Sequence, residues 1–300
     1  YPGHFTIQQN RDSHDLIQWL GNQSWSKGNV GMVGCSAMGN LQYGPASESP
    51  SALKAIMPRC AAFDFYEDIY PGGVMDVLGL GIWGDGAADR DAGILSSASK
   101  NIRSDHSQSK NNILRSEIEI RLDEIKREWL SSLPAPVDGP DGERLRDEAR
   151  VEQAIPVPGV FHANKLEEHA KRNRYRVGVG DRHFQGHALT IAYFQEIKAA
   201  AIPTYHVEGW YNNNASAAIL WNRNLQGPSK ALTGPWAHGE HLTHERKLVN
   251  IEALRWNDYW LKGIDNGIMD EPGIVSAIIG KKPGTGAWVM SEQWPDKQVQ

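Results

Sequence analysis

Cysteine is nearly absent from this chain, with Cys35 and Cys60 its only two. One pair cannot make a disulfide framework, and so few thiols fit a reducing compartment such as the cytoplasm. Long apolar runs are missing too; none approaches the roughly 18 residues that a membrane span needs. Positive charge is in short supply, with 31 Lys and Arg against 36 Asp and Glu and a formal charge of −5. That balance gives no basic footprint for nucleic acid and no polybasic patch for a membrane surface. No Met opens the chain, and Tyr1-Pro2-Gly3-His4-Phe5 has no charged-then-apolar leader. A mature secreted form and a piece of a longer protein both fit that beginning. No internal repeat is visible.

What is present is ordinary for a globular protein: 300 residues, 40% hydrophobic and 22% charged. The eleven tryptophans are many for this length. Leu16, Ile17, Trp19 and Leu20 recur at helical spacing, with Ser13 or Asp12 as the expected cap. Val30 to Gly34 is a short apolar run of the buried parallel-strand type, and Leu53 to Met57 is a second, which Pro58 should end. Strand, helix and strand in this order predict an α/β fold with a parallel sheet and right-handed crossovers.

The middle of the chain is different. Ser96 to Asn112 is polar, Ile113 to Leu130 is an amphipathic helix, and Pro134 to Pro140 breaks it. Charged helix follows from Glu143 to Gln153 and from Lys165 to Lys171. This reads as a helical insertion, a candidate cap. Strand patterns resume at Ile202 to Gly209 and Ser229 to Gly234, with short β-like runs at Gly273 to Ile279 and Ala287 to Met290.

Chemistry concentrates at two glycine-flanked turns. Gly34-Cys35-Ser36-Ala37-Met38-Gly39 lies directly after a predicted strand and before a helix-like stretch, the setting of a nucleophile elbow. There the serine hydroxyl projects above the sheet, and the N–H of Ala37 would donate to an oxyanion. An ordinary strand-to-helix turn with Ser36 as N-cap is the plain alternative. A serine needs a base, and His238 in Gly234-Pro235-Trp236-Ala237-His238-Gly239 follows a predicted strand, with serine first and histidine last in chain order. His241 and His244 lie close by in sequence, which leaves a metal-dependent hydrolase as a weaker alternative; no metal is expected. An acid belongs after the strand Thr204 to Glu208, yet the turn reads Gly209-Trp210-Tyr211-Asn212-Asn213-Asn214. Trp210 and Trp236, both beside strand ends, with Tyr211, are candidate substrate-pocket walls.

Together these pieces resemble the α/β-hydrolase family of cocaine esterase, α-amino-acid ester hydrolases and X-prolyl dipeptidyl peptidases. Trp19 to Ser36, Lys54 to Pro58, Phe63-Asp64, Tyr70 to Gly73, Gly209-Trp210-Tyr211, Gly234 to His238 and Leu254 to Gly263 carry the resemblance. It implies a doubly wound, mostly parallel sheet with a helical cap and the start of a C-terminal β jelly roll. The expected boundaries are hydrolase core at 1–78 and 191–270, cap at 79–190 and jelly roll from 271 to 300. The family's earliest strands, with a Tyr that supplies the second oxyanion donor, would precede Tyr1. The resemblance implies Ser36 as nucleophile, His238 as base, no cofactor and a small ester, amide or peptide substrate. A homo-oligomer stays open. Ala37 stands where the family usually has Tyr, and Asn212 stands where it has Asp. Asp64, after the second strand, is the candidate substitute acid, against a plain reading as a turn residue. A hydrolase-fold binding protein that has lost its catalysis is therefore the rival function. An X-prolyl dipeptidyl aminopeptidase is the other, for which Glu67, Asp68 and Asp76 could hold an α-amine.

Overall fold

A computed structural model describes residues 7–64, 139–153, 193–239, 246–282 and 285–295. The expected helices at Ile113–Leu130 and Lys165–Lys171 lie outside these residues, as do Glu67, Asp68, Asp76, His241 and His244. The chain divides into two compact units, Tyr1–Met75 with His183–Gln300, and Asp76–Arg182. In the second unit a single turn at Gly139–Asp141 leads into the helix Gly142–Gln153, one residue longer than its charged pattern predicts. Arg144 pairs with Glu148 one turn on at 2.7 Å, a solvated contact worth little on its own.

The first unit holds a six-stranded sheet. Its strands are β1 (Val30–Cys35), β2 (Leu53–Arg59), β3 (Thr204–Gly209), β4 (Ser229–Gly234), β5 (Ile274–Ile279) and β6 (Gly286–Ser291), side by side in sequence order. β1 to β5 run parallel, and β6 turns back antiparallel on β5. The helices are α1 (Ile7–Gly21), α2 (Ala37–Asn40) and α3 (Tyr43–Ser47) around the first two strands. After them come α4 (Phe194–Ala200), α5 (Ala217–Asn224) and α6 (Arg246–Lys262). No described helix is long and apolar enough to cross a membrane.

Period-two alternation in the strands sorts the core into two layers. Ile56 of β2 packs with Ile17, Tyr43, Ala46, Ile197 and Trp221 from α1, α3, α4 and α5. Its neighbours Ala55 and Met57 face the other way, with Tyr205, Val207, Leu232 and, from α6, Val249 and Trp256. Trp221 is wholly buried and stacks on Tyr43 at 4.2 Å between ring centroids. Truncating such a side chain to Ala costs about 3–5 kcal/mol.

Several expectations need correction. Asp12 and Ser13 do not cap α1; the helix starts at Ile7, and Asp12 accepts from Gln8 Nε2 within it at 2.7 Å. Pro58 does not end β2 but sits inside it, opposite Gly34. Ile56 donates to the carbonyl of Pro203, just before β3, and Cys60 to that of Val207 within it. Pro58 falls midway between these donors and has no N–H to give, so the strand passes through at the loss of one ladder bond. β1 is half-buried rather than enclosed, with Val33 47% exposed, because among the described strands it pairs on one side only. Residues 274–291, in the stretch expected to begin a jelly roll, add two strands to the central sheet. Ile274 packs with Ala218, Ile219 and Ala231, so burial of its side chain draws β5 into the central sheet and β6 follows it.

Candidate active site

The turn after β1 is built on steric necessity. Ser36 has φ 63° and ψ −126°, a conformation that L residues avoid and that costs roughly 1–3 kcal/mol. Its N–H donates to the Arg59 carbonyl at 2.9 Å, and its own carbonyl accepts from the N–H groups of Gly39 and Asn40. Glycine on either side lets the backbone close. A Cβ on Gly34 would lie 2.6 Å from the Met38 carbonyl oxygen, and one on Gly39 would lie 2.5 Å from that of Arg59. Two buried amides brace the turn against β2. Asn40 Oδ1 accepts from the Ala62 N–H, and Gln42 Oε1 accepts from the Met57 N–H while its Nε2 donates to the Met38 carbonyl. No side-chain hydrogen bond from Ser36 caps α2, so its hydroxyl does not serve as an ordinary N-cap.

Two loops meet above the strand ends. Trp210 donates its N–H to the Gly234 carbonyl and Tyr211 to that of Trp236, which ties the turn after β3 to the turn after β4. His238 thereby reaches both neighbours. Its Nε2 lies 2.9 Å from Ser36 Oγ, 202 residues away in the chain, and its Nδ1 lies 3.0 Å from Asn212 Oδ1. An amide oxygen only accepts, so this contact is met by the Nδ1–H tautomer, which leaves Nε2 as an acceptor for the serine hydroxyl. Both ring nitrogens are engaged, and Asp64 takes neither place.

The residue that sequence reading missed is Glu208. It is the last residue but one of β3, is 1% exposed, and accepts from the Gly209 N–H at 3.0 Å and from Asn212 Nδ2 at 2.6 Å. Asn212 Nδ2 also donates to Asn214 Oδ1. An acid four residues before Asn212 was the available signal; a strand interior is where a charge is least expected. The field of Glu208 helps to raise the Tyr43 hydroxyl and the Cys60 thiol above their ordinary values. The larger cause is burial for Tyr43 and a hydrogen bond to Cys35 for Cys60.

Of the candidate pocket walls, Trp236 belongs to the core instead. It is 2% exposed and packs with Val207 and Leu232, its ring lying against Gly234 where any Cβ would collide. Trp210 donates its indole N–H to the Ala277 carbonyl on β5 at 2.7 Å, while Tyr211 stands 60% exposed beside Asn212. Ala37 follows Ser36 at the start of α2 and is partly exposed. Among the described residues no three His, Cys, Asp or Glu side chains gather to hold a metal ion.

The model of the X-Pro dipeptidyl-peptidase (S15) family matches residues 2–240. The cocaine esterase of a Rhodococcus species is 37% identical over 79 residues, which is 26% of this chain and 14% of that enzyme. A Mycobacterium bovis protein provisionally named a serine esterase is 24% identical, over 95% of this chain and 45% of its own. The crystal structure of a CocE/NonD family hydrolase from Staphylococcus aureus superposes with a TM-score of 0.54 at 16% identity, covering 99% of this chain and 41% of that one. The match to each of these relatives covers less than half of that relative's own length.

Proposed function

The chain belongs to the X-Pro dipeptidyl-peptidase (S15) family, and from that premise we propose that it is a serine hydrolase that cleaves carboxylic esters through an acyl-enzyme. The observation that carries this reading is the chain of contacts from Ser36 Oγ to His238 Nε2 and from His238 Nδ1 to Asn212 Oδ1. As Oγ attacks the ester carbonyl, His238 takes its proton and becomes an imidazolium, which the Asn212 oxygen holds in place. The tetrahedral oxyanion is met by the N–H of Ala37, the residue directly after the nucleophile. His238 then returns the proton to the leaving alcohol, and water repeats the sequence on the acyl-Ser36 ester. The strained backbone at Ser36 supports the reading, because such strain persists where geometry is used.

Steady-state and burst measurements with p-nitrophenyl esters test this reading, with an X-Pro p-nitroanilide as the second substrate. We expect a burst equal to the enzyme concentration and a loss of at least about 10³-fold in kcat for Ser36→Ala. Turnover that survives Ser36→Ala would remove the proposal. Folded protein without turnover on either substrate would favour the binding-protein alternative, and preference for the anilide would shift the substrate class to peptides.

A further inference from the structure

An asparagine beside the catalytic base poses a specific problem. Its amide has two ends of similar shape and opposite hydrogen-bonding sense. With Oδ1 toward His238 the imidazole carries its proton on Nδ1, as a base for Ser36 requires. With Nδ2 toward His238 the proton moves to Nε2, and the serine loses its acceptor. In a serine-protease triad the change from Asp to Asn, which gives the wrong tautomer, costs about 10⁴ in kcat. Something must therefore decide which end of Asn212 faces the histidine.

The candidate stands on β3. Alternation along the strand puts Glu208 on the same side as His206, the layer that holds Tyr43 and Trp221. Its carboxylate is 1% exposed and within 2.6 Å of Asn212 Nδ2. Turning the amide over would set Oδ1 against a carboxylate oxygen at that distance, two acceptors without a proton between them. Asn214 Oδ1 also accepts from Nδ2. That partner is itself an amide and can turn, whereas a carboxylate presents no donor on either side. The Gly209 N–H at 3.0 Å holds Glu208 Oε1 in its place.

We propose that Glu208 is the positioning residue of this site: its carboxylate fixes the Asn212 amide with Oδ1 toward His238, so that Glu208 and Asn212 together replace a single triad acid. The inference rests on the serine-hydrolase reading for its catalytic consequence, but not for the orientation itself. The imidazolium formed during acyl transfer then has a buried negative charge one amide away. The sequence carries the acid four positions early, and the asparagine relays it.

The test combines turnover with a readout that needs none. In the folded wild-type protein, ¹⁵N NMR of His238 should show the Nδ1–H tautomer, and Glu208→Ala should move it toward Nε2–H. Glu208→Ala should lower kcat for p-nitrophenyl acetate by about 10² or more, short of the ~10⁴ of a fixed wrong tautomer, with KM within about twofold. Glu208→Ala with Asn212→Asp should recover most of the loss, because a carboxylate at 212 has no wrong end. Asn212→Asp alone sets two carboxylates side by side, so it should be less active than Asn212→Asp with Glu208→Gln. This last pair keeps the test alive if Glu208→Ala does not fold. The proposal is overturned if Glu208→Ala leaves both the tautomer and kcat unchanged, or if the two Asn212→Asp proteins are equally active. A tautomer shift without any Ser36-dependent turnover would instead retire the hydrolase reading and leave the orienting role of Glu208 standing.

Discussion

The two ends of the site are built in different ways. At the serine end, residues 34–40, the constraint is backbone: a positive φ at Ser36, glycines where no Cβ fits, and carbonyls within 3 Å. At the acid end, residues 208–214, the constraint is the sense of side-chain hydrogen bonds that run Glu208, Asn212, His238. Backbone constraints leave a local signature of small residues. A side-chain relay leaves almost none, because any polar residue of the right reach looks alike until its partners are known.

That contrast predicts two kinds of damage. Asn212→Ala should lower kcat by about 10² or more while the fold survives, since the loss is one of orientation and charge. Gly34→Ala should lower activity and stability together, the latter by about 1–3 kcal/mol, because the new methyl must push the Met38 backbone away. Urea unfolding beside kcat separates the two. An Asn212→Ala protein that loses stability and activity in proportion would blur the distinction.

What the sequence made legible follows the same line. The turn at Ser36, the strand Ser229–Gly234 and the closeness of Ser36 to His238 were readable because apolar runs and glycine punctuation are local signals. Pro58 inside β2 was not, since whether a missing N–H matters depends on which neighbour it would have met. Nor was the place of residues 274–291 in the central sheet, which is decided by Ile274 finding Ala218 and Ile219. Its flanking Gly and Pro mark Trp236 as a pocket wall. Only the close approach of Gly234 shows that its ring turns inward. Glu208 was hidden by the rule that strand interiors exclude charge.

A smaller effect concerns the layer behind Glu208. His206 is 2% exposed, bonds Tyr43 through Nδ1 at 3.0 Å and stacks on Trp221, and its Nε2 has no partner among the described residues. Burial pulls its pKa from the ordinary 6.5 down to about 3. The folded state therefore refuses a proton that the unfolded chain accepts. The stability that neutral His206 permits is complete above pH 6.5 and is lost as pH falls toward 3, by about 1.4 kcal/mol per unit. His206→Gln should reduce the proton uptake on unfolding between pH 6 and 4 by about one. An unchanged slope of unfolding free energy against pH would show that the histidine is not the group responsible.

The central claim is that Ser36 is a nucleophile activated by His238, and covalent labelling reads it without any assumption about substrate. A fluorophosphonate probe followed by peptide mass spectrometry should place a single adduct on the peptide that contains Ser36. The adduct should vanish in Ser36→Ala and form at least about 10³-fold more slowly in His238→Ala. An adduct on another residue, or labelling of Ser36 at an unchanged rate without His238, would contradict the account.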